Sequence, residues 1–148
     1  MQLSAGETAV AITNYHNALK LNNKLPVAQN NLAMLMVRQP GANLAEARSL
    51  ARSAVKLAPK TAAYWDTLAL VESRMGDVKA AIKSISSAIN IDQGDPEWNV
   101  DLARILVRAG HMKQAAAVLH KIDPRKLNSP QVPASAKRHY NAMMQRIR

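Results

Sequence analysis

The 148-residue sequence contains no cysteine. That excludes disulfides, thiol catalysis and cysteine-ligated metal, and it leaves the compartment open. Aromatic residues make up 3% of the chain, and Tyr140 alone lies in its basic C-terminal end. The interleaved stacking side chains that single-stranded nucleic acid needs are therefore missing, and nucleic acid is not an expected partner. No apolar run approaches the roughly 20 residues of a membrane-spanning helix, so no direct span is expected. The first residues also lack the basic region and apolar core of a signal peptide. No glycine-rich loop is present to cradle a phosphate. His16, His111, His120 and His139 show no metal-ligand spacing, and Asp92 with Asp95 and Glu97 reads as a helix start. Neither a metal site nor a cofactor is expected.

Acidic residues are also scarce, at 10 against 20 Lys and Arg, and the imbalance is local. Residues 1–107 hold 11 basic and 9 acidic side chains, whereas residues 108–148 hold 9 basic and only Asp123. A field of that sign raises the local concentration of anionic partners. Lys137, Arg138, Arg146 and Arg148 form the candidate basic patch at this end.

What the chain does have is internal repetition at a period near 34 residues. Following Trp65, the residues Leu68, Ala69, Gly76, Ala81, Ile85 and Ala88 recur in register as Leu102, Ala103, Gly110, Ala115, Leu119 and Ile122. The same register picks out Leu32, Ala33, Ala47, Ala51, Ala54 and Pro59 upstream, with two extra residues in the turn near Pro40. Small alanines at fixed places allow close helix approach, and Gly76 and Gly110 suit the left-handed residue that ends a helix. Asp95 before Pro96 has the form of an N-cap with proline at the first helical position, and Asn43 with Glu46 has capping-box spacing. Helices are predicted near 8–21, 26–38, 44–57, 62–74, 78–91, 96–109, 112–122 and 134–147. A Ser53-to-Lys56 S-x-x-K match falls on one of these packed helices and reads as chance.

These positions resemble the tetratricopeptide repeat (TPR) family. The resemblance implies an all-α, right-handed superhelix of antiparallel helix pairs. It divides the chain into the second helix of a truncated repeat (1–25), repeats at 26–61, 62–95 and 96–123, a linker at 124–133 and a capping helix at 134–148. The apolar stripe of Ala136, Tyr140, Met143 and Ile147 suits a cap over the last repeat, around Leu106, Val118 and Leu119. Met1 to Ala5 would be the last turn of a preceding helix, as in a piece of a longer array, and self-association through the truncated repeat would follow.

In such arrays the first helix of each pair lines a concave groove, which implies a non-catalytic scaffold holding a protein or peptide. Repeat positions 2, 5, 6, 9, 12 and 13 select Asn30, Asn31, Met34 and Arg38 in the first full unit. They select Asp66, Thr67, Leu70 and Arg74 in the second, and Glu97, Asp101, Arg104 and Arg108 in the third, with Val100 among their neighbours. Arg38, Arg74 and Arg108 share position 13 and should form a ridge suited to carboxylates or phosphates. Glu97 and Asp101 stand where TPR domains that clamp acidic chaperone tails carry cations, so that function is not expected. Trp65 and Trp98 are expected to pack between helices.

The segments VAQNNLAMLM and LAPKTAAYWDTLALVESRMGDVKAAIKSISSAI, followed by a linker and short last helix, are similar to the C-terminal repeats of bacterial TPR proteins of exopolysaccharide export and exosortase (PEP-CTERM) sorting. That narrower likeness implies a bacterial periplasmic or envelope scaffold. Its basic end would contact an acidic polysaccharide or acidic partner.

Overall fold

Ser4 and Glu7 start the first helix. The Ser4 hydroxyl accepts from the Glu7 amide at 3.3 Å, while the Glu7 carboxylate accepts from the Ser4 amide at 2.8 Å, completing a capping box. Helix α1 thus runs over Ala5–Leu21. Ser4 and Ala5 belong to this helix start, not to the last turn of an earlier helix. The computed structural model describes residues 4–147, so the rest of that expectation, at Met1 to Leu3, lies outside the described residues, as does Arg148.

Seven further α-helices follow: α2 (Pro26–Val37), α3 (Leu44–Leu57), α4 (Ala62–Arg74), α5 (Val78–Ile91), α6 (Pro96–Arg108), α7 (Met112–Lys121) and α8 (Ala134–Arg146). No strand occurs among the described residues. The caps explain the boundaries. Asn43 accepts from the Glu46 amide, Asp77 from the Ala80 amide and Asp95 from the Glu97 amide, each meeting an amide that a helix start leaves without a partner. The box at Asn43 is partial, because Glu46 accepts from the Asn43 side-chain amide and not from its backbone.

Gly76 and Gly110 have φ of 82° and 80°. Nothing lies within 4 Å of a Cβ built at either, so backbone conformation and not crowding calls for glycine. The bonds around them are those of a Schellman turn: Asp77 N–H to Glu72 O with Gly76 N–H to Ser73 O, and His111 N–H to Leu106 O with Gly110 N–H to Val107 O.

Helices pair as α2 with α3, α4 with α5 and α6 with α7, and α2, α4, α6 and α8 succeed one another in a single inner layer. Ala33, Ala47, Ala51, Ala54, Ala69, Ala81, Ala88, Ala103 and Ala115 have no exposed surface, so their methyl groups set the helix spacing throughout the array. This is the right-handed TPR-type superhelix. Trp98 is buried beside Ile85 and Ala88, and Trp65 packs against the same cluster while donating its indole N–H to Pro59 O at 2.8 Å.

The segment 124–133 is more than a linker. It contains a 3₁₀ turn at Lys126–Asn128 whose Leu127 is buried with Val100, Ala103, Leu119, Tyr140 and Met143. The face that α8 covers is therefore centred on Val100, Ala103 and Leu119. Leu106 is buried but stands outside that cluster.

Candidate functional site

The inner layer leaves a groove of about 1210 Å³ that every one of its four helices lines. From the residues expected there, Met34, Arg38, Asp66, Leu70, Arg74, Glu97, Asp101, Arg104 and Arg108 are brought together. Asn30, Asn31 and Thr67 are not on its wall. Thr67 has no exposed surface and donates its hydroxyl to Ala63 O one turn back, as mid-helix threonines do. Asn31 donates its amide to the Tyr15 hydroxyl of α1 at 3.0 Å, and buried Asn30 donates to the Asn31 side chain. Helix α1 thus engages the first turns of α2, and the groove begins beyond them. Val100, also expected to face inward, is buried beneath α8.

The sequence implies a last helix that acts as a cap with a separate basic rim. Helix α8 does cover the last repeat, but it also places Ser135, Arg138, His139, Ala142 and Arg146 on the groove wall, so its basic side chains are not a separate rim. These residues fall at repeat positions 2, 5, 6, 9 and 13, so α8 holds the positions of an inner helix, with no outer helix beside it among the described residues. The signal is present in its spacing but masked by Lys137 and Asn141, which occupy positions 4 and 8, where α4 has Trp65 and Ala69. Both are exposed, and among the described residues no partner helix covers them. Lys137 stays outside the groove and donates to the Asn128 side chain.

Two walls of opposite charge result. Arg38 is the C-cap of α2, and Arg74, Arg108 and Arg146 are the last residues of α4, α6 and α8, where the helix dipole favours a cation. Among the described residues none of the four has a carboxylate oxygen within 4.0 Å. Burial, together with the nearby Arg104 and Arg74 charges, lowers the pKa of Arg108, which marks a site crowded with cations.

At the other ends of α4 and α6, Asp66, Glu97 and Asp101 converge. Burial is the main reason that all three carboxyl pKa values rise. Asp66 is pushed well up, with Asp101 and Glu97 adding repulsion, while Glu97 reaches about 7 with help from Asp101 and Asp95. Asp101 is restrained by Arg104, which donates to it at 2.6 Å. His139 is lowered by burial and by Arg104, with Asp101 opposing. No group of three or more His, Asp or Glu among the described residues could hold a metal ion.

Comparison with known proteins agrees with this fold. Residues 74–143 match a family model described as Tetratricopeptide repeat. No curated protein matches the sequence. Among solved structures, the thermophilic TPR protein TTC0263 of Thermus thermophilus superposes with a TM-score of 0.74 at 18% identity, covering 95% of this chain and 74% of that one. MamA gives 0.69 at 14% identity, covering 98% and 95%. The type III secretion translocator chaperone SycD of Yersinia enterocolitica gives 0.61 at 14% identity, covering 99% and 86%. Repeat register, helix order and these likenesses together identify the chain as an array of the tetratricopeptide-repeat fold.

Proposed function

We propose that this chain is a non-catalytic scaffold that holds a segment of another protein in its concave groove. The single observation carrying this reading is the groove itself, lined by all four inner helices and furnished with arginines that have no carboxylate partner among the described residues. An arginine fork donates two parallel hydrogen bonds to a carboxylate, so it can orient a peptide as well as attract it. Met34, Leu70 and Val107 add apolar surface between the charged walls. The likeness to SycD, a translocator chaperone, supports a protein partner here by analogy of fold.

Photocrosslinking tests the proposal. A photoreactive amino acid at Leu70 should trap a partner segment, whereas the same group at exposed Lys79, off the groove, should not. Equal trapping at both places would contradict it.

A second reading, an envelope scaffold for exopolysaccharide export or protein sorting, draws on the basic end at residues 108–148. An anionic polymer would meet Arg138 and Arg146 first. That polymer would also have to pass the Asp66, Glu97 and Asp101 wall, which weighs for a protein of mixed charge.

A further inference from the structure

We propose that the occupant of the groove is an acidic protein segment that lies along the row Arg38, Arg74, Arg108 and Arg146 and directs one lysine or arginine toward the Asp66, Glu97 and Asp101 wall. The inference rests on the groove reading above and names the chemistry of its partner.

The argument begins with charge. Arg38, Arg74, Arg108, Arg138 and Arg146 have no carboxylate within 4.0 Å among the described residues, whereas Asp101 is already paired with Arg104. The groove therefore has an excess of unneutralised cations, and an acidic ligand is complementary to it. The excess is not uniform. Asp66 and Glu97 have no cation within 4.0 Å among the described residues and sit in successive repeats, on α4 and α6. A uniformly anionic polymer would bring like charges against them, while a partner with a single cation at that place would relieve them.

Geometry then sets the partner's size. Inner helices at the usual spacing of about 8–10 Å place the four arginines over about 25–30 Å. That is about eight residues of extended chain or about five turns of helix. Along the helices, eight residues separate Asp66 from Arg74 and eleven separate Glu97 from Arg108, or about 12 and 16 Å. In an extended segment successive side chains point to opposite sides, so one segment can serve both walls at once. Helix α8 belongs to the binding surface, since without it the row loses Arg146 and the groove loses Arg138.

The ionisation of the acidic wall supports the same assignment. Burial raises the carboxyl pKa of Asp66 and takes that of Glu97 to about 7, with Asp101 adding repulsion to both and Asp95 to Glu97, while Arg104 and Arg38 oppose the rise at Asp66 and, with His139, at Asp101. An incoming ammonium or guanidinium would favour the ionised forms and release protons.

The test uses the full chain and labelled twelve-residue peptides with four glutamates and one lysine, the lysine placed at each position in turn. Counterparts carry glutamine for lysine, and an alginate oligomer serves as the polyanion. At least one lysine peptide should bind about tenfold more tightly than its glutamine counterpart, despite its lower negative charge. Asp66→Asn and, separately, Glu97→Gln should reduce that preference, and Arg146→Gln should weaken both peptides. Calorimetry at pH 7 in two buffers of different ionisation enthalpy should show proton release with the lysine peptide only. Glutamine peptides or alginate binding as well as any lysine peptide would overturn the proposal, while loss of that binding in Arg74→Gln would leave the groove reading standing. Failure of every peptide to bind also overturns it, and the Leu70 crosslink then decides the groove reading separately.

Discussion

Ser84 of α5 donates its hydroxyl to the buried carboxylate of Glu72 on α4 at 2.7 Å. Arg48 and Arg52 of α3 approach the other carboxylate oxygen at 3.9 and 3.7 Å, so one acidic side chain ties together helices of two successive repeats. Glu72 is 3% exposed, and a buried polar group that loses a partner retains its desolvation cost. Ser84→Ala should therefore destabilise the array by about 1.5–3 kcal/mol. Denaturant melts measure this, and an unchanged midpoint would show that the bond contributes nothing.

Ala69 has no exposed surface, whereas its neighbour Leu70 is half-buried on the groove wall. Ala69→Leu must force α4 and α5 apart, at a cost of about 1–3 kcal/mol. Leu70→Ala should cost less, because its site opens to water. Denaturant melts of both variants decide the matter, and a reversed order would mean that the helix register differs from the one described.

Much of the fold was legible because repetition reports the same packing problem several times. Ala33, Ala69 and Ala103 recur where helices touch, and Gly76 and Gly110 recur where the chain turns with positive φ. The groove was less legible where the array ends and the repetition stops. Tyr15 engages Asn31 only because α1 crosses the start of α2. Arg146 joins the arginine row only because α8 keeps the inner-helix positions while lacking the small residues that accompany an outer helix. The start at Ser4 and Glu7 was readable from its S-x-x-E spacing, but the helix expected near 8–21 begins beyond it.

Removal of residues 134–148 would expose Val100, Ala103, Leu119 and Leu127 together. The truncated chain should associate, as light scattering would show, and should melt earlier. Met143→Ala, which leaves α8 in place but deletes a buried side chain, should cost about 2–5 kcal/mol. A truncated monomer with unchanged melting would show that α8 is not needed to cover this face.

Stability should also depend on pH through the acidic wall. Glu97 has a folded pKa of about 7 against an ordinary 4.5, so between these values the folded chain holds more proton than the unfolded chain. Stability contributed by this group is full below the ordinary value and falls as pH rises toward 7. Asp66, also raised, acts in the same direction. Glu97→Gln should flatten the decline in denaturant melts taken across that range. An unaltered slope would mean that Glu97 does not titrate there.

The most direct measurement of the central claim is a comparison of binding kinetics for a partner trapped at Leu70. One variant replaces Arg38, Arg74 and Arg108 with glutamine. The other replaces the basic side chains Lys113, Lys121 and Lys137, which stand off the groove wall. Directed hydrogen bonds in a groove slow dissociation, whereas screened rim charges chiefly alter the association rate and its salt dependence. The groove account predicts faster dissociation for the arginine variant and slower, salt-sensitive association for the lysine variant. An arginine variant that binds like the parent, beside a lysine variant that loses the partner, would contradict it.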